Sequence, residues 1–505
     1  MKFTFWKWCA LGLAVLAGLA AAETNWHVPR SWTDEKIAGF RLPLAGLNKP
    51  PQMLAEREYY ALPENNLKTY PVYTPDKEPA NYLDWLKQQD PKPLVEVEKL
   101  HTQADWIAAG KEVFFGRELP RFSGSEDNLQ LIRNPKVLAA YRVQTTADGV
   151  LLGLRYVVRE KGKIELGTDT CSMCHAQIRD GKLYPGLPND YTPFGGLMAD
   201  LTKRYAQISP QLLEMRRRKH MREDYRVPYL ENDPNLAVCD LPADQIADLY
   251  ARVPLGVYPR NNTSLLYPVK IANLVGIKNY RYFDRTGTAR QRDITDLMRY
   301  SGEIGDVSDA LTAYGDGPNA RSVLANMGLE KGIHRTPDPL LYALALYIES
   351  LEGPPNPNQF DDEAKRGQTI FLKQAHCGEC HTPPFYSNNK LTLAEGFRPS
   401  AEEKKELDIM NLSVGTDPGL ALKTRKGTGF YRVPSLKMVW TNSAFLHDGS
   451  IGSLGELFSA NRLKEDFRSS NWSANTPAHA VKGHPFGLDL NARDRAALVK
   501  FLKTL

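Results

Sequence analysis

The sequence predicts a mainly α-helical chain of two similar domains in tandem, with a long irregular N-terminal arm and a small β-hairpin insertion. Three observations predict this. The pentapeptide Cys-x-x-Cys-His occurs twice, at Cys171–His175 and at Cys377–His381. Each copy lies between an opening and a closing stretch whose apolar residues recur at helical spacing. Residues 23–104, ahead of both, are rich in Pro, Tyr and charge and keep no period. A length of 505 residues suits two or more domains. A composition of 42% hydrophobic and 24% charged residues suits a buried core.

The first 22 residues read as a secretory signal. Lys2 and Lys7 form a positive start, Ala10 to Leu19 a short apolar run, and Ala20-Ala21-Ala22 a small-residue cleavage site. That run is too short for a comfortable membrane span, and no later segment is longer. The expectation is a periplasmic or secreted protein with no membrane span after cleavage. The net charge of +5 falls to +3 when the two lysines leave, too mild a balance to imply nucleic acid.

After cleavage five cysteines remain: Cys171, Cys174, Cys239, Cys377 and Cys380. Four of them belong to the pentapeptides, which carry the attachment signature of c-type haem. Two thiols one helical turn apart add to the vinyl groups on one porphyrin edge, and the adjacent histidine supplies the proximal nitrogen. A thioredoxin-like pair would need a βαβ pattern, which neither copy has. A zinc site would need the four thiols together, but the pairs lie more than 200 residues apart. The expected cofactors are therefore two covalent haem c groups. They are attached at Cys171 and Cys174 and at Cys377 and Cys380, with His175 and His381 as iron ligands. Cys239 reads as a buried, inert thiol.

The two halves repeat the same parts. Trp106 to Phe114 matches Ala364 to Phe371, with Gly110 and Gly367, and Phe114 and Phe371, in equivalent places. Downstream, Tyr267 to Val275 matches Tyr431 to Val439 at an offset of 164, which sets Phe283-Asp284 against His447-Asp448. The halves close on the amphipathic stretches Ala343–Leu351 and Ala497–Leu505. We read two cytochrome c-like haem domains, 105–352 and 361–505, joined by the stiff linker Gly353-Pro354-Pro355-Asn356-Pro357-Asn358. The first domain has 61 residues from Gly110 to Cys171, where the second has ten from Gly367 to Cys377. Within that insertion Val150–Val158 and Lys163–Leu166 flank a Glu160-Lys161-Gly162 turn and read as a β-hairpin.

Tyr431-Arg432-Val433-Pro434-Ser435-Leu436 and Phe445-Leu446-His447-Asp448-Gly449-Ser450 resemble the signature of the bacterial di-haem cytochrome c peroxidase superfamily. Arg366-Gly367 and the closing Leu498–Leu505 stretch fit as well. The resemblance spans roughly residues 105–505 and is specific in the second half. Relatives include the enzyme that matures the methylamine dehydrogenase cofactor and the haem-dependent rubber oxygenases, and the long arm and large insertion resemble the latter. The resemblance implies that the N-terminal haem meets peroxide or dioxygen and that the C-terminal haem is six-coordinate and relays electrons. It implies a small redox protein as electron donor or acceptor, and it leaves room for a calcium ion.

The axial ligands depart from the family pattern. Where many members place a methionine downstream of the position matching His447, this chain has Asn461, and no methionine follows Met438. Lys482-Gly483-His484-Pro485-Phe486-Gly487 resembles the ligand loop of bis-histidine members, which makes His484 the expected sixth ligand of the second haem. His479 and Met438 are the alternatives, and His447 is expected to be structural. For the first haem no histidine lies between His175 and His220, and the latter sits in the basic run Arg216–Arg222, which reads as a solvated face. Tyr191 is the residue proposed over the iron, and Phe283, set against His447 by the repeat, an apolar wall. No tryptophan lies between Trp106 and Trp440, so a tyrosine would have to stand between the haems.

These features suit a peroxidase-type oxidoreductase using peroxide or dioxygen. A rubber oxygenase-like dioxygenase acting on an apolar substrate is the first alternative. A non-catalytic electron carrier is the second, with His334 placed ahead of the first closing helix much as His484 precedes the second.

Overall fold

The computed structural model describes residues 26–117, 119–124, 133–168, 170–208, 221–222, 225–258, 264–305, 311–315 and 334–505. The signal segment 1–22 and most of the basic run, with His220, lie outside the described residues.

The helices that frame the sites are α1 (Gln103–Gly116), α2 (Ile294–Gly305), α3 (Asp338–Glu349), α4 (Asp362–Lys373) and α5 (Ala492–Lys503). Side-chain oxygens of Thr102, Asp361 and Asn491 cap α1, α4 and α5 by accepting a backbone N–H of the first turn. Helix α1 packs on α3, and α4 packs on α5. Both crossings depend on a glycine. A Cβ on Gly110 would lie 1.9 Å from the carbonyl oxygen of Ala343, and one on Gly367 would lie 1.9 Å from that of Ala497. One turn on, Phe114 meets Tyr347 edge-on at 5.4 Å and Phe371 meets Phe501 edge-on at 5.3 Å. The same crossing is built twice from equivalent residues.

The second level of repetition has a different register from the one the sequence suggests. Positive φ angles recur at Gly276 and Met438, at Asp284 and Leu446, and at Gly287 and Gly449. These pairs lie 162 apart, not 164. At 162 the antiparallel pair Phe283–Ala289 coincides with the bridge Phe445–Ile451. The Tyr267–Tyr431 match that suggested 164 is coincidental, because Tyr431 lies in a strand and Tyr267 precedes one. Phe283 therefore corresponds to Phe445, and Arg285 takes the place of His447. The repeats also exchange backbone bonds. Lys270 N–H donates to His447 O at 2.8 Å, and its counterpart Arg432 N–H donates to Arg285 O at 2.8 Å.

The fold is mixed, not mainly α. Among the described residues there are one four-stranded, one three-stranded and four two-stranded sheets. The predicted hairpin is present as β3 (Val150–Val157) and β4 (Glu165–Thr168), with Gly162 at φ +89° in its turn. A lone hairpin is marginal in water. Here β1 (Thr69–Tyr73) and β2 (Leu119–Gly124) extend it to the order β1-β3-β4-β2. Pro71 is tolerated because β1 is an edge strand. In the second repeat, β5 (Leu391–Leu393) lies between β6 (Ile409–Ser413) and β7 (Phe430–Arg432).

The arm is likewise more ordered than expected. Besides β1 it forms the short helices Asp34–Ile37, Glu56–Tyr60 and Tyr82–Lys87. Trp32 is fully buried, stacks on Tyr59 at 4.3 Å and donates its indole N–H to Leu54 O at 2.8 Å. Ser31 and Tyr60 hydroxyls donate to the two carboxylate oxygens of Asp338, at 2.5 and 2.8 Å, which pins the arm to the start of α3.

Gly110→Ala and Gly367→Ala each drive a methyl into a backbone carbonyl. Alanine's helix propensity is worth only about 1 kcal/mol, against overpacking at the upper end of about 1–3 kcal/mol. Both substitutions should lower Tm in thermal unfolding followed by circular dichroism. Gly196→Ala, whose nearest neighbour would be 3.8 Å away, should leave Tm unchanged or raise it.

Candidate haem-binding sites

Each pentapeptide folds into one tight turn. Cys171–Cys174 is a single α-turn and Cys377–Glu379 a 3-10 turn. The backbone N–H of His175 donates to Cys171 O at 2.9 Å, and that of His381 to Cys377 O at 2.8 Å. Gly153 of β3, at φ +88°, lets the inserted sheet press on the first turn: a Cβ there would lie 2.4 Å from that of Met173.

Both imidazoles are oriented by carbonyls. His175 Nδ1 lies 2.9 Å from Ala272 O, while His381 Nδ1 lies 3.1 Å from Pro434 O and 3.2 Å from Tyr386 O. A carbonyl only accepts, so Nδ1 carries the proton and Nε2 keeps its lone pair, as an iron ligand must. Burial lowers the His381 pKa and favours the neutral ring.

The turns open into two cavities of about 1560 and 1430 Å³, including the open solvent at their mouths. Cys171, Cys174 and His175 line the first, with Phe114, Phe283 and Leu344. Cys377, Cys380 and His381 line the second, with Phe445, Leu457 and Phe486. No disulfide joins these thiols, and burial pushes Cys377 up to about 12. Two thiols and one oriented imidazole facing an apolar cavity of this size fit a haem held by two thioethers.

The second cavity presents another histidine. His484 lines it, half-buried, and its Nδ1 is buried without a hydrogen-bond partner. Burial, and then the nearness of His381, holds its pKa down at about 4, so the ring is neutral and able to coordinate. Its backbone is left-handed at φ +47°, an uncommon conformation for this residue. Its N–H donates to Val414 O at 2.6 Å. The loop is fastened by Arg462, which is fully buried. Arg462 donates to the carbonyls of Leu457 at 2.9 Å, Val481 at 2.5 Å, Gly483 at 2.7 Å and His484 at 2.9 Å. The alternatives lie elsewhere. His479 stacks on Trp472 at 4.3 Å, and Met438 packs against Gly353. His447 lines the cavity and hydrogen-bonds Tyr431 OH through Nε2 at 3.3 Å.

The first cavity differs. Tyr191 lines neither cavity and is 38% exposed, so the structure does not place it over an iron. Its neighbours explain this. Asn189 and Asp190 are buried and anchored, Asn189 by donating to Met173 O at 2.9 Å and Asp190 by accepting from Ser443 N–H at 2.8 Å. Phe283 does line the cavity and stacks on Tyr300 of α2 at 4.6 Å. The Tyr300 hydroxyl donates to Asp284 Oδ2 at 3.0 Å, placing a tyrosine–carboxylate pair in the wall. Sequence reasoning missed Tyr300, although Leu297, Tyr300 and Ile304 are spaced as one face of a helix and all line this cavity. His334 does not line it.

Lys270, Tyr280, Arg285 and Arg432 line both cavities and form the wall between them. The Arg432 guanidinium lies 3.6 Å from the centre of the Tyr280 ring, and Tyr280 OH accepts from Ser435 N–H at 2.8 Å. Trp440 packs under Arg179 and lines neither cavity. Among the described residues no cluster of His, Cys, Asp and Glu could hold a calcium ion, and no described helix is long and apolar enough to cross a membrane.

No family model matches the chain, and no curated protein does. Among solved structures it is similar to hydrazine synthase from Kuenenia stuttgartiensis, at 15% identity over 65% of this chain and 98% of that one, with a TM-score of 0.28. It is also similar to the diheme peroxidase BthA from Burkholderia thailandensis, at 17% identity over 65% and 91%, with a TM-score of 0.23. A MauG-like protein associated with microbial copper homeostasis matches at 18% identity over 38% and 62%, with a TM-score of 0.22. Superpositions this loose carry no argument about fold or reaction.

Arg462→Met keeps most of the bulk and strands the four carbonyls that Arg462 serves. Urea unfolding of the haem-loaded protein should show a loss of about 3 kcal/mol, the cost of buried acceptors left without a charged donor.

Proposed function

We propose that the chain is an exported di-haem c-type oxidoreductase. The haem at His175 is open to peroxide or dioxygen, and the haem at His381 is closed by His484 and passes electrons to or from a small redox protein. The observation that carries this reading is the asymmetry of the two cavities. The second offers His484 besides its proximal ligand, whereas His175 is the sole histidine among the described residues of the first. Of the ten histidines in the chain, His220 alone lies outside the described residues.

When bound, the first haem supplies an open iron position at which peroxide or dioxygen is reduced. The protein's own groups set the conditions there. Ala272 O fixes the His175 ring. Phe283, stacked on Tyr300, keeps one wall apolar. The Tyr300 hydroxyl, supported by Asp284, holds a proton at the cavity wall. Tyr280, enclosed under Arg432 in the shared wall, stands between the two sites. A bis-histidine second site favours a low potential. A purely carrying role would call for two closed sites, and the described first cavity supplies no second histidine to close it.

Carbon monoxide added to the reduced protein should bind one haem, and in His484→Ala it should bind both. Binding to neither haem in the unaltered protein overturns the catalytic reading. If one haem binds, peroxide turnover with a reduced cytochrome donor should proceed. Oxygen uptake with a polyisoprenoid in its place would support the oxygenase alternative. The double substitution Cys171→Ser with Cys174→Ser should halve the covalent haem seen on a haem-stained denaturing gel and abolish carbon monoxide binding.

A further inference from the structure

The wall between the cavities gathers more positive charge than its own carboxylates balance. Lys270, Arg285 and Arg432 all line both cavities. Lys270 is 5% exposed, and its nearest counter-charge is Asp190. The carboxylate of Asp284 is engaged by Tyr300 OH and by the backbone N–H of Arg285. Burial makes an unmet cation unfavourable, most of all at Lys270, while Arg285 and Arg432 are half-buried. Burial holds Lys270 down at about 8. It also lowers Arg285, with Arg432 lowering it further, to about 10. The Arg432 Nη1 is buried with no hydrogen-bond partner.

Position sharpens the point. At the offset of 162, Lys270 and Arg432 are equivalent residues, one from each repeat. Each stands two residues before the carbonyl, Ala272 O or Pro434 O, that orients the proximal imidazole. Each is bonded through its backbone N–H into the other repeat. Arg285 spends Nε and Nη2 on the carbonyls of Lys270 and Ile271, at 3.1 to 3.5 Å, which fixes its guanidinium against that strand. Equivalent cations in a shared wall call for equivalent anions, one from each cavity.

We propose that Lys270, Arg285 and Arg432 form one shared anion site that receives propionate carboxylates from both haems and couples them electrostatically. This rests on the haem reading above. Each haem carries two carboxylates, and charge-assisted bonds from a guanidinium or ammonium are the strong kind in a dry wall. A cation held against both carboxylate sets destabilises the oxidised form of each iron, which carries the greater positive charge. Removing it should therefore favour oxidation of both.

The test is spectroelectrochemistry of the haem-loaded protein with Lys270→Met and, separately, Arg432→Met. Both midpoint potentials should shift downward together in each variant, and Lys270→Arg should restore them. A shift confined to one haem, or no shift in either, overturns the shared site. Thermal unfolding gives a second reading. With carboxylates in place, Lys270→Met should lower Tm. A rise in Tm would mark Lys270 as an uncompensated buried charge and also overturn the proposal. If a haem-stained gel of the unaltered protein showed no covalent haem, the haem reading itself would fail, independently of any substitution in the wall.

Discussion

Two backbone hydrogen bonds tie the strands beside both sites together: Lys270 N–H to His447 O, and Arg432 N–H to Arg285 O, each 2.8 Å. They join the repeats reciprocally. The same strands lead directly into the carbonyls that orient His175 and His381. Neither site is therefore complete within its own repeat, because the segment that aims each imidazole is tied into the other half. The helix crossings at Gly110 and Gly367 build each half, and these two bonds are among those that join the halves.

On this symmetric backbone the side chains have diverged. Asp284 stands where the second repeat has Leu446, and Arg285 where it has His447. The backbone angles nevertheless agree, with φ +66° at Asp284 and +65° at Leu446. The second cavity is lined by a histidine whose backbone is left-handed, and Arg462 keeps that loop in shape. The first has an aromatic wall and a tyrosine–carboxylate pair. One scaffold thus surrounds the two motif histidines with different walls, while each imidazole is oriented by a backbone carbonyl at the equivalent position.

Much of this was legible in the sequence, and the parts that were not have physical reasons. The Cys-x-x-Cys-His turns, the equivalence of Gly110 and Gly367 and the β3–β4 hairpin follow from local spacing and turn chemistry, whereas His484 was implied by the family resemblance of its loop. The true repeat register did not, because it is written in backbone angles at Gly276, Asp284 and Gly287, and two tyrosines gave a misleading match. Tyr191 was misplaced because a short polar segment does not reveal which of its residues the tertiary contacts will anchor. Arg462 was missed because a lone arginine in sequence looks solvated, and its carbonyl partners at Val481 to His484 come together only on folding. The arm was taken as irregular because strand β1 gains its partner more than 70 residues away.

The contact between the arm and α3 bears on the order in which the protein can be assembled. Ser31 reaches Asp338 across 307 residues of chain. Closure over such a distance is entropically expensive and slow compared with local helix formation. A nascent chain emerging from its N-terminus has exposed Cys171 and Cys174 well before residue 338 exists to receive the arm. During that interval the thiols of the first site stand in a chain whose arm cannot yet dock on α3. Docking of the arm on α3, like the still longer-range bond from Ala45 N–H to Gly427 O, therefore comes late in assembly.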